Sequence, residues 1–140
     1  MIYDWRTYAV GSAVFAALTA VLGKVAVSSI NSNLATFIRT IVILVFTAGI
    51  LFWRGQWKDL PSISTRTFMF LVLSGLATGI SWLCYYRALQ LGPVSKVAPV
   101  DKLGVALAIL MGIFILGEKA DVKTLIGGAL VVVGAVLLAS

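Results

Sequence analysis

The sequence contains no histidine, a single cysteine and only five acidic residues among its 140 positions. A catalytic imidazole and a histidine-containing zinc site are therefore excluded, and one cysteine cannot form an intramolecular disulfide. No nucleophile–base pair is visible, so the sequence predicts no enzyme, no cofactor and no metal site. Cys84 lies in an apolar stretch and is interpreted as a small hydrophobic side chain.

Charge is scarce as well, because 11% of the residues are charged while 61% are hydrophobic. A soluble domain has about a quarter of its residues charged, and a chain this short has too much surface to bury such an apolar excess. The net charge of +6 comes from scattered basic residues, so nucleic acid is not predicted as a partner. The composition instead predicts an integral membrane protein with lysine and arginine near the ends of its spans.

Five apolar segments are each long enough to cross about 30 Å of hydrocarbon as a helix. Turn-forming residues separate them, including the Asn31-Ser32-Asn33 turn and the Gly92-Pro93 pair. We therefore predict an all-α bundle of five transmembrane helices that forms one domain over residues 1–140. The predicted helices cover about residues 7–29, 34–53, 67–91, 94–116 and 122–139.

An odd number of spans places the two termini on opposite sides of the membrane. Six basic residues then fall on the N-terminal side: Arg6, Arg54, Lys58, Arg66, Lys119 and Lys123. Five belong to the other side or to the adjacent half of the membrane: Lys24, Arg39, Arg87, Lys96 and Lys102. This near balance gives a weak orientation signal and permits insertion in both orientations, since the excess of basic residues in loops sets the topology.

Ionisable side chains inside a span are costly and point to function. Four lie more than one turn inside the predicted spans: Lys24, Arg39, Asp101 and Lys102. Because consecutive helices alternate in direction, these groups are expected near one leaflet, where they would form a charged vestibule. Snorkelling of the long basic side chains to the headgroups is the alternative. A short carboxylate such as Asp101 cannot snorkel in this way.

Asp101 is expected to find its partner on another helix, with Arg39 as the first choice and Lys24 as the second. Lys102, its neighbour in the chain, would point about 100° away on a regular helix. The surplus of positive charge suits an anionic or zwitterionic ligand, while a titrating Asp101 would suit proton coupling. A purely structural ion pair remains open. Pro99 is predicted to break the fourth helix just before Asp101, as in the broken helices of transporters.

The third span carries Gly75, Gly79, Trp82 and Tyr86 on one face, at spacings of three and four residues. Trp82 lies too deep for an interfacial anchor. Trp82 and Tyr86 either form the wall of a substrate pocket or pack against the fourth helix.

Two stretches resemble the EamA domain of the drug/metabolite transporter superfamily. AVLGKVAVSSINSNLATFIRTIVI, residues 20–43, resembles its first two helices. Residues 85–139 resemble its last three helices, with Leu116-Gly117-Glu118 and the glycine-rich final helix as the most specific part. The resemblance covers essentially the whole chain.

Most members of that family contain two inverted repeats in ten helices, whereas this chain contains one. The resemblance therefore implies a homodimer, antiparallel as in the small multidrug resistance exporters. Those exporters use a carboxylate in their first helix, where this chain has Lys24, so export of cationic drugs by that chemistry is not expected.

The leading hypothesis is a secondary transporter or exporter of a small polar metabolite, anionic or zwitterionic, that works as a dimer of five-helix units. Its substrate-binding or coupling residues are predicted to be Asp101, Arg39, Lys24, Lys102, Trp82 and Tyr86. The alternative is a non-transporting membrane subunit that needs a paralogue. The expected location is a bacterial or archaeal inner membrane, with multiple spans.

Overall fold

The computed structural model describes residues 4–140, and its helices account for most of that range. The α-helices are α1 (Trp5–Val27), α2 (Ser32–Trp53), α3 (Thr65–Leu91), α4 (Val94–Asp101), α5 (Leu103–Leu116) and α6 (Val122–Ala139). A short 3-10 helix, Gln56–Ser62, follows α2.

Within residues 4–140, five helical segments are long and apolar enough to cross a membrane. They are α1, α2, α3, the α4–α5 pair and α6, so the predicted all-α membrane fold is confirmed. The first three begin two residues before the predicted bounds, and α1 ends two residues earlier, at Val27. The turn that follows α1 also starts α2, because the Asn31 side chain accepts a hydrogen bond from the amide of Asn33 at 2.8 Å.

The spanning helices bury little of themselves, since at most 17% of any spanning window is buried. Large apolar side chains such as Phe46 and Phe114 are 68% and 82% exposed. In water such surface would be strongly unfavourable, whereas in hydrocarbon it is solvated by lipid tails. The helices satisfy their own backbone hydrogen bonds, which is the requirement for a segment that crosses lipid.

The chain divides into two compact units. The central unit is Gly23–Gln90, and the terminal unit contains the residues up to Leu22 together with Leu91–Ser140. In the terminal unit, α6 packs against both α4 and α5. Gly128 of α6 is buried against Ile109, whose Cδ1 would lie 3.1 Å from a Cβ at residue 128. A glycine is therefore needed for this close helix contact.

The break between α4 and α5 falls at Lys102, one residue after Asp101. The prediction placed it just before Asp101, because Pro99 lacks the amide that would bond to Ser95. The helix instead continues through Pro99 to Asp101. The chain then tightens into a turn in which the amide of Lys102 donates to the carbonyl of Pro99 at 3.0 Å.

The central unit is held by a few small contacts near the ends of its helices. Val27 at the end of α1 and Leu89 near the end of α3 are fully buried, at 1% and 0% exposure. Ser32, Ala35 and Thr36 form the buried face of the first turns of α2. The Thr36 hydroxyl donates to the carbonyl of Ser32 at 2.9 Å, so its polar atom is satisfied.

Asp121 precedes α6 and caps it. Its Oδ1 accepts hydrogen bonds from the Thr124 hydroxyl at 2.6 Å and from the Thr124 amide at 2.8 Å. The hydroxyl and then the amide hydrogen bond hold the pKa of the Asp121 carboxyl below its ordinary value. The ionised form therefore favours the start of α6.

We predict that Asp121→Ala lowers the thermal midpoint of the detergent-solubilised protein at neutral pH, whereas Asp121→Asn retains most of it because asparagine also caps. The Asp121 pKa is lower in the folded than in the unfolded state. The stabilisation is therefore present above the ordinary carboxyl pKa and lost as the pH falls through the lowered value. Equal midpoints for Asp121→Ala and the parent protein at neutral pH would contradict this role.

Candidate functional site

Arg39 of α2 lies over the indole of Trp82 on α3. Its guanidinium carbon is 3.3 Å from the centroid of the Trp82 ring and 5.7 Å from that of Tyr86. Both Arg39 and Trp82 are half-buried. A planar cation is attracted to the negative face of an aromatic ring, and this attraction strengthens where water is excluded. The contact gives the charge of Arg39 a favourable place inside a membrane span.

The aromatic partner of Arg39 is a cluster of three rings, Trp82, Tyr85 and Tyr86, which we call the aromatic shelf. Residues three and four apart lie on the same face of a helix, which brings the two tyrosines next to Trp82. The Trp82 and Tyr85 rings meet edge to face at 5.6 Å, and the Trp82 and Tyr86 rings are 5.7 Å apart. Contacts with both tyrosines thus fix the orientation of the Trp82 ring.

The central unit provides no carboxylate for Arg39 within its spanning helices. Between Gly23 and Gln90 the only acidic residue is Asp59, which lies in the exposed 3-10 helix. No hydrogen bond or ion pair joins the Arg39 guanidinium to another residue of that range. A guanidinium carries five N–H donors. Their acceptors must therefore come from outside the central unit.

Tyr86 is held against α1 by the absence of a side chain at Gly23. A Cβ at residue 23 would lie 3.1 Å from the Tyr86 hydroxyl oxygen and 3.2 Å from its Cζ. Tyr86 is only 4% exposed. Tyr86 therefore packs on α1 while its ring stays within reach of Arg39.

Lys24 lies next to Gly23 on α1, and its ammonium donates to the carbonyl oxygen of Leu89 at 2.6 Å. The Gln90 side-chain amide donates in the opposite direction, to the carbonyls of Val27 and Ile30 at 3.4 and 3.3 Å. The central unit thus brings together four of the predicted site residues: Lys24, Arg39, Trp82 and Tyr86.

Asp101 and Lys102 belong to the terminal unit and pair with each other. The Lys102 ammonium lies 3.1 Å from Asp101 Oδ2, and both side chains are exposed. The structure thus differs from the expectation that Asp101 takes its cation from another helix. The long, flexible Lys102 side chain reaches back to the carboxylate of its neighbour, although the two residues leave the helix in different directions.

Glu118 lies in the turn that ends α5. Gly117 adopts a left-handed conformation with φ of 69°, and the Glu118 amide donates to the carbonyl of Gly112 at 3.1 Å. This is the usual way to close a helix with glycine. Glu118 Oε2 folds back to within 2.8 Å of where a Cβ of Gly112 would be. The Leu116-Gly117-Glu118 motif therefore orders the connector to α6.

Sequence reasoning missed Gly23 and Gln90, and it assigned Arg87 to this side of the membrane without predicting its contact with Gln90. The Arg87 guanidinium donates to Gln90 Oε1 at 2.6 Å and so orients the amide that reaches α1. Pro93 could have indicated such contacts. A proline just after a helix provides no N–H for the last carbonyls, so another group must donate to them.

The chain as a whole matches a known family model. The model for the EamA-like transporter family aligns with residues 5–140. The chain belongs to the EamA-like transporter family. Its five spans and its helix-terminating Leu116-Gly117-Glu118 turn all lie inside the matched region.

Two relatives extend this finding. A protein of Sinorhizobium sp. named "Uncharacterized transporter in cobO 3'region" is 50% identical over 139 residues, which cover 99% of each chain. An uncharacterized protein of Methanocaldococcus jannaschii is 26% identical over 83 residues, covering 59% of this chain and 61% of that protein. No solved structure matches the chain.

The family and the spans together establish a multi-pass membrane transporter. In this EamA-family protein the Arg39 stack and the aromatic shelf lie on spanning helices, where polar groups require a specific reason. We take Arg39, Trp82 and Tyr86 as the candidate site.

We predict that Gly23→Ala displaces Tyr86 and lowers the free energy of unfolding by about 1–3 kcal/mol, as expected for overpacking a close contact. Gly11→Ala on the same helix is the matched control, because a Cβ at residue 11 meets nothing within 4 Å. That control is expected to be neutral or slightly stabilising, since alanine favours helix over glycine. Thermal unfolding in detergent measures both variants, and equal midpoints would contradict the close packing of Tyr86.

Proposed function

We propose that this transporter carries a small polar metabolite with an anionic group, either an anion or a zwitterion, and that Arg39 binds that group. The observation that carries the proposal is the half-buried guanidinium stacked on Trp82 with no carboxylate in the spanning helices of the central unit. A cation held in this way keeps its charge and its N–H donors for a ligand.

The geometry of the stack favours carboxylate or another planar oxyanion. The N–H groups of a guanidinium lie in its plane and bind two oxygens at once. Stacking on Trp82 uses the face of that plane and leaves the edge for a ligand. The indole fixes the orientation of the fork, so the entropy of ordering Arg39 is already lost before the substrate binds.

Two other basic residues of the central unit also favour a negatively charged substrate. Arg87 lies one turn from the end of α3, and Lys24 lies near the end of α1. Both carry positive charge, which raises the local concentration of an anion. In the terminal unit, Asp101 is the only acidic residue inside a predicted span and is our candidate for proton coupling, with Lys102 as its partner.

We further propose that the transporter works as a homodimer, antiparallel in the membrane, and that the membrane is a bacterial or archaeal inner membrane. The support is the single repeat in this chain and the near balance of basic residues on the two sides. On α6, Gly128 and Ala135 are buried within the terminal unit, whereas a Cβ at Gly127 or Gly134 would meet nothing within 4 Å. That second small-residue face is the proposed contact with the other copy.

The substrate class is tested with purified protein against a panel of carboxylates, phosphates, zwitterions and organic cations. Thermal stabilisation in detergent reports binding, and flux into proteoliposomes reports transport, with and without a pH gradient. We predict that Arg39→Met weakens the response to the best anion by about 10- to 100-fold, the value of one charged hydrogen bond at about 1.5–3 kcal/mol.

Arg54→Met is the matched control, since Arg54 follows the opposite end of the same helix and is exposed. Full flux of the anion in Arg39→Met would refute the assignment of Arg39. Flux of cations alone would refute the proposed substrate class. If nothing in the panel moves, the non-transporting subunit becomes the better hypothesis.

We predict that Gly127→Leu combined with Gly134→Leu weakens self-association by at least about ten-fold, because bulky side chains keep two helices apart. Energy transfer between donor- and acceptor-labelled copies in liposomes measures the association. Gly11→Leu, at an equally open glycine of α1, serves as the control. Unchanged energy transfer in the double variant would place the dimer contact elsewhere.

A further inference from the structure

The end of α3 has an unusual requirement for hydrogen-bond donors. The last carbonyls of any helix lack partners within the helix. An amide one or two residues past the end often fills this need. Here α3 ends at Leu91, and Gly92 is followed by Pro93, which has no N–H. Gly92 does not adopt the left-handed conformation of the common glycine cap.

The ammonium of Lys24 supplies a hydrogen-bond donor at this helix end. It donates to the carbonyl of Leu89 at 2.6 Å, and the Leu89 side chain is fully buried. The carbonyl end of a helix carries a partial negative charge, so a lysine is a favourable donor at this position. The charge of Lys24 is therefore directed at α3 rather than at the headgroups.

A matching contact runs the other way. The Gln90 amide donates to the carbonyls of Val27 and Ile30 at and just after the end of α1. Arg87 holds the Gln90 carbonyl at 2.6 Å and so fixes which way the amide points. Each of the two helices thus donates from a side chain to the carbonyl end of the other. We call the five bonded residues Lys24, Leu89, Gln90, Val27 and Ile30 the reciprocal clamp.

The reciprocal clamp lies directly beside the candidate site. Tyr86 precedes Leu89 by one turn and packs on Gly23, the neighbour of Lys24. Trp82 precedes Tyr86 by one more turn and lies under Arg39. Because a helix is stiff over two turns, a contact that fixes the position of Leu89 against α1 also fixes the position of Trp82.

We propose that Lys24 is a positioning residue. Together with Gln90 it fixes the register of α3 against α1 and so holds Trp82 and Tyr86 beneath Arg39, and it does not bind the substrate. This inference rests on the proposed function in one respect, namely that Arg39 and the aromatic shelf are the substrate site. It replaces the expectation from sequence that Lys24 is itself a substrate ligand.

The test measures the fluorescence of Trp82, which reports whether Arg39 is stacked on its ring. Replacing Trp5, Trp53 and Trp57 by phenylalanine leaves Trp82 as the only tryptophan. Arg39→Met in this background defines the fluorescence of an indole without its stacked cation. Lys24→Met removes the donor at similar length, and Lys24→Arg retains it. Lys58→Met, in the exposed 3-10 helix, is the matched control.

We expect Lys24→Met to shift the emission and acrylamide quenching of Trp82 toward the values of Arg39→Met, and to lower anion transport about five-fold or more. Lys24→Arg should restore both properties. Gln90→Met should change them in the same direction by a smaller factor, because its bonds are longer. Pro93→Ala supplies a new N–H near the end of α3 and should recover part of the Trp82 signal in the Lys24→Met protein.

Two results would overturn the proposal. One is Lys24→Met with unchanged Trp82 fluorescence and a raised apparent KM for the anion, which would make Lys24 a direct ligand. The other is unchanged fluorescence and transport in both Lys24→Met and Gln90→Met. If Lys24→Met does not fold, the proposal is tested by the Trp82 fluorescence and the anion transport of Gln90→Met and Lys24→Arg. A Trp82 response without any anion transport would support the clamp and refute the proposed function instead.

Discussion

A helix that ends near hydrocarbon must find donors for its last carbonyls, and the central unit is built around that constraint. Water is scarce there, so an unpaired carbonyl is costly. Pro93 removes one natural donor after α3, and Lys24 supplies another from α1. One hydrogen bond thus satisfies both the ammonium of a lysine in a span and a carbonyl at the end of a helix. The same contact brings the buried residues Val27, Leu89 and Tyr86 together.

Two ways of stabilising charge in a membrane occur in this chain. Asp101 and Lys102 neutralise each other within the terminal unit, as chain neighbours at a helix break. Arg39 is stabilised by the face of Trp82, which supplies attraction without supplying negative charge. Only the second arrangement leaves a net charge for a ligand. The two arrangements therefore suit the two proposed roles, Arg39 for binding an anion and Asp101 for proton coupling.

The fold was largely predictable, because five apolar segments with polar turns admit few alternatives in lipid. The grouping of Arg39, Trp82 and Tyr86 among the site candidates was also accessible from helix spacing and from the cost of an intramembrane charge. The contacts of Lys24 were not, since they depend on how the ends of α1 and α3 approach each other. The pairing of Asp101 with Lys102 was missed because only the directions of the two residues on the helix were considered, whereas a long lysine side chain can reach its neighbour.

The continuous helix α6 packs against both halves of the broken α4–α5 span. The continuous helix limits how the broken span can bend at Lys102. Any change of angle at Lys102 must keep one half on α6 while the other slides or lifts from it. The tight contact between Gly128 and Ile109 lies on the α5 side of the break. The α4 side is tied to the end of α6 as well, since the Lys96 ammonium donates to the carbonyl of Ser140 at 3.2 Å. A change of angle at Lys102 therefore costs packing against α6 whichever half moves.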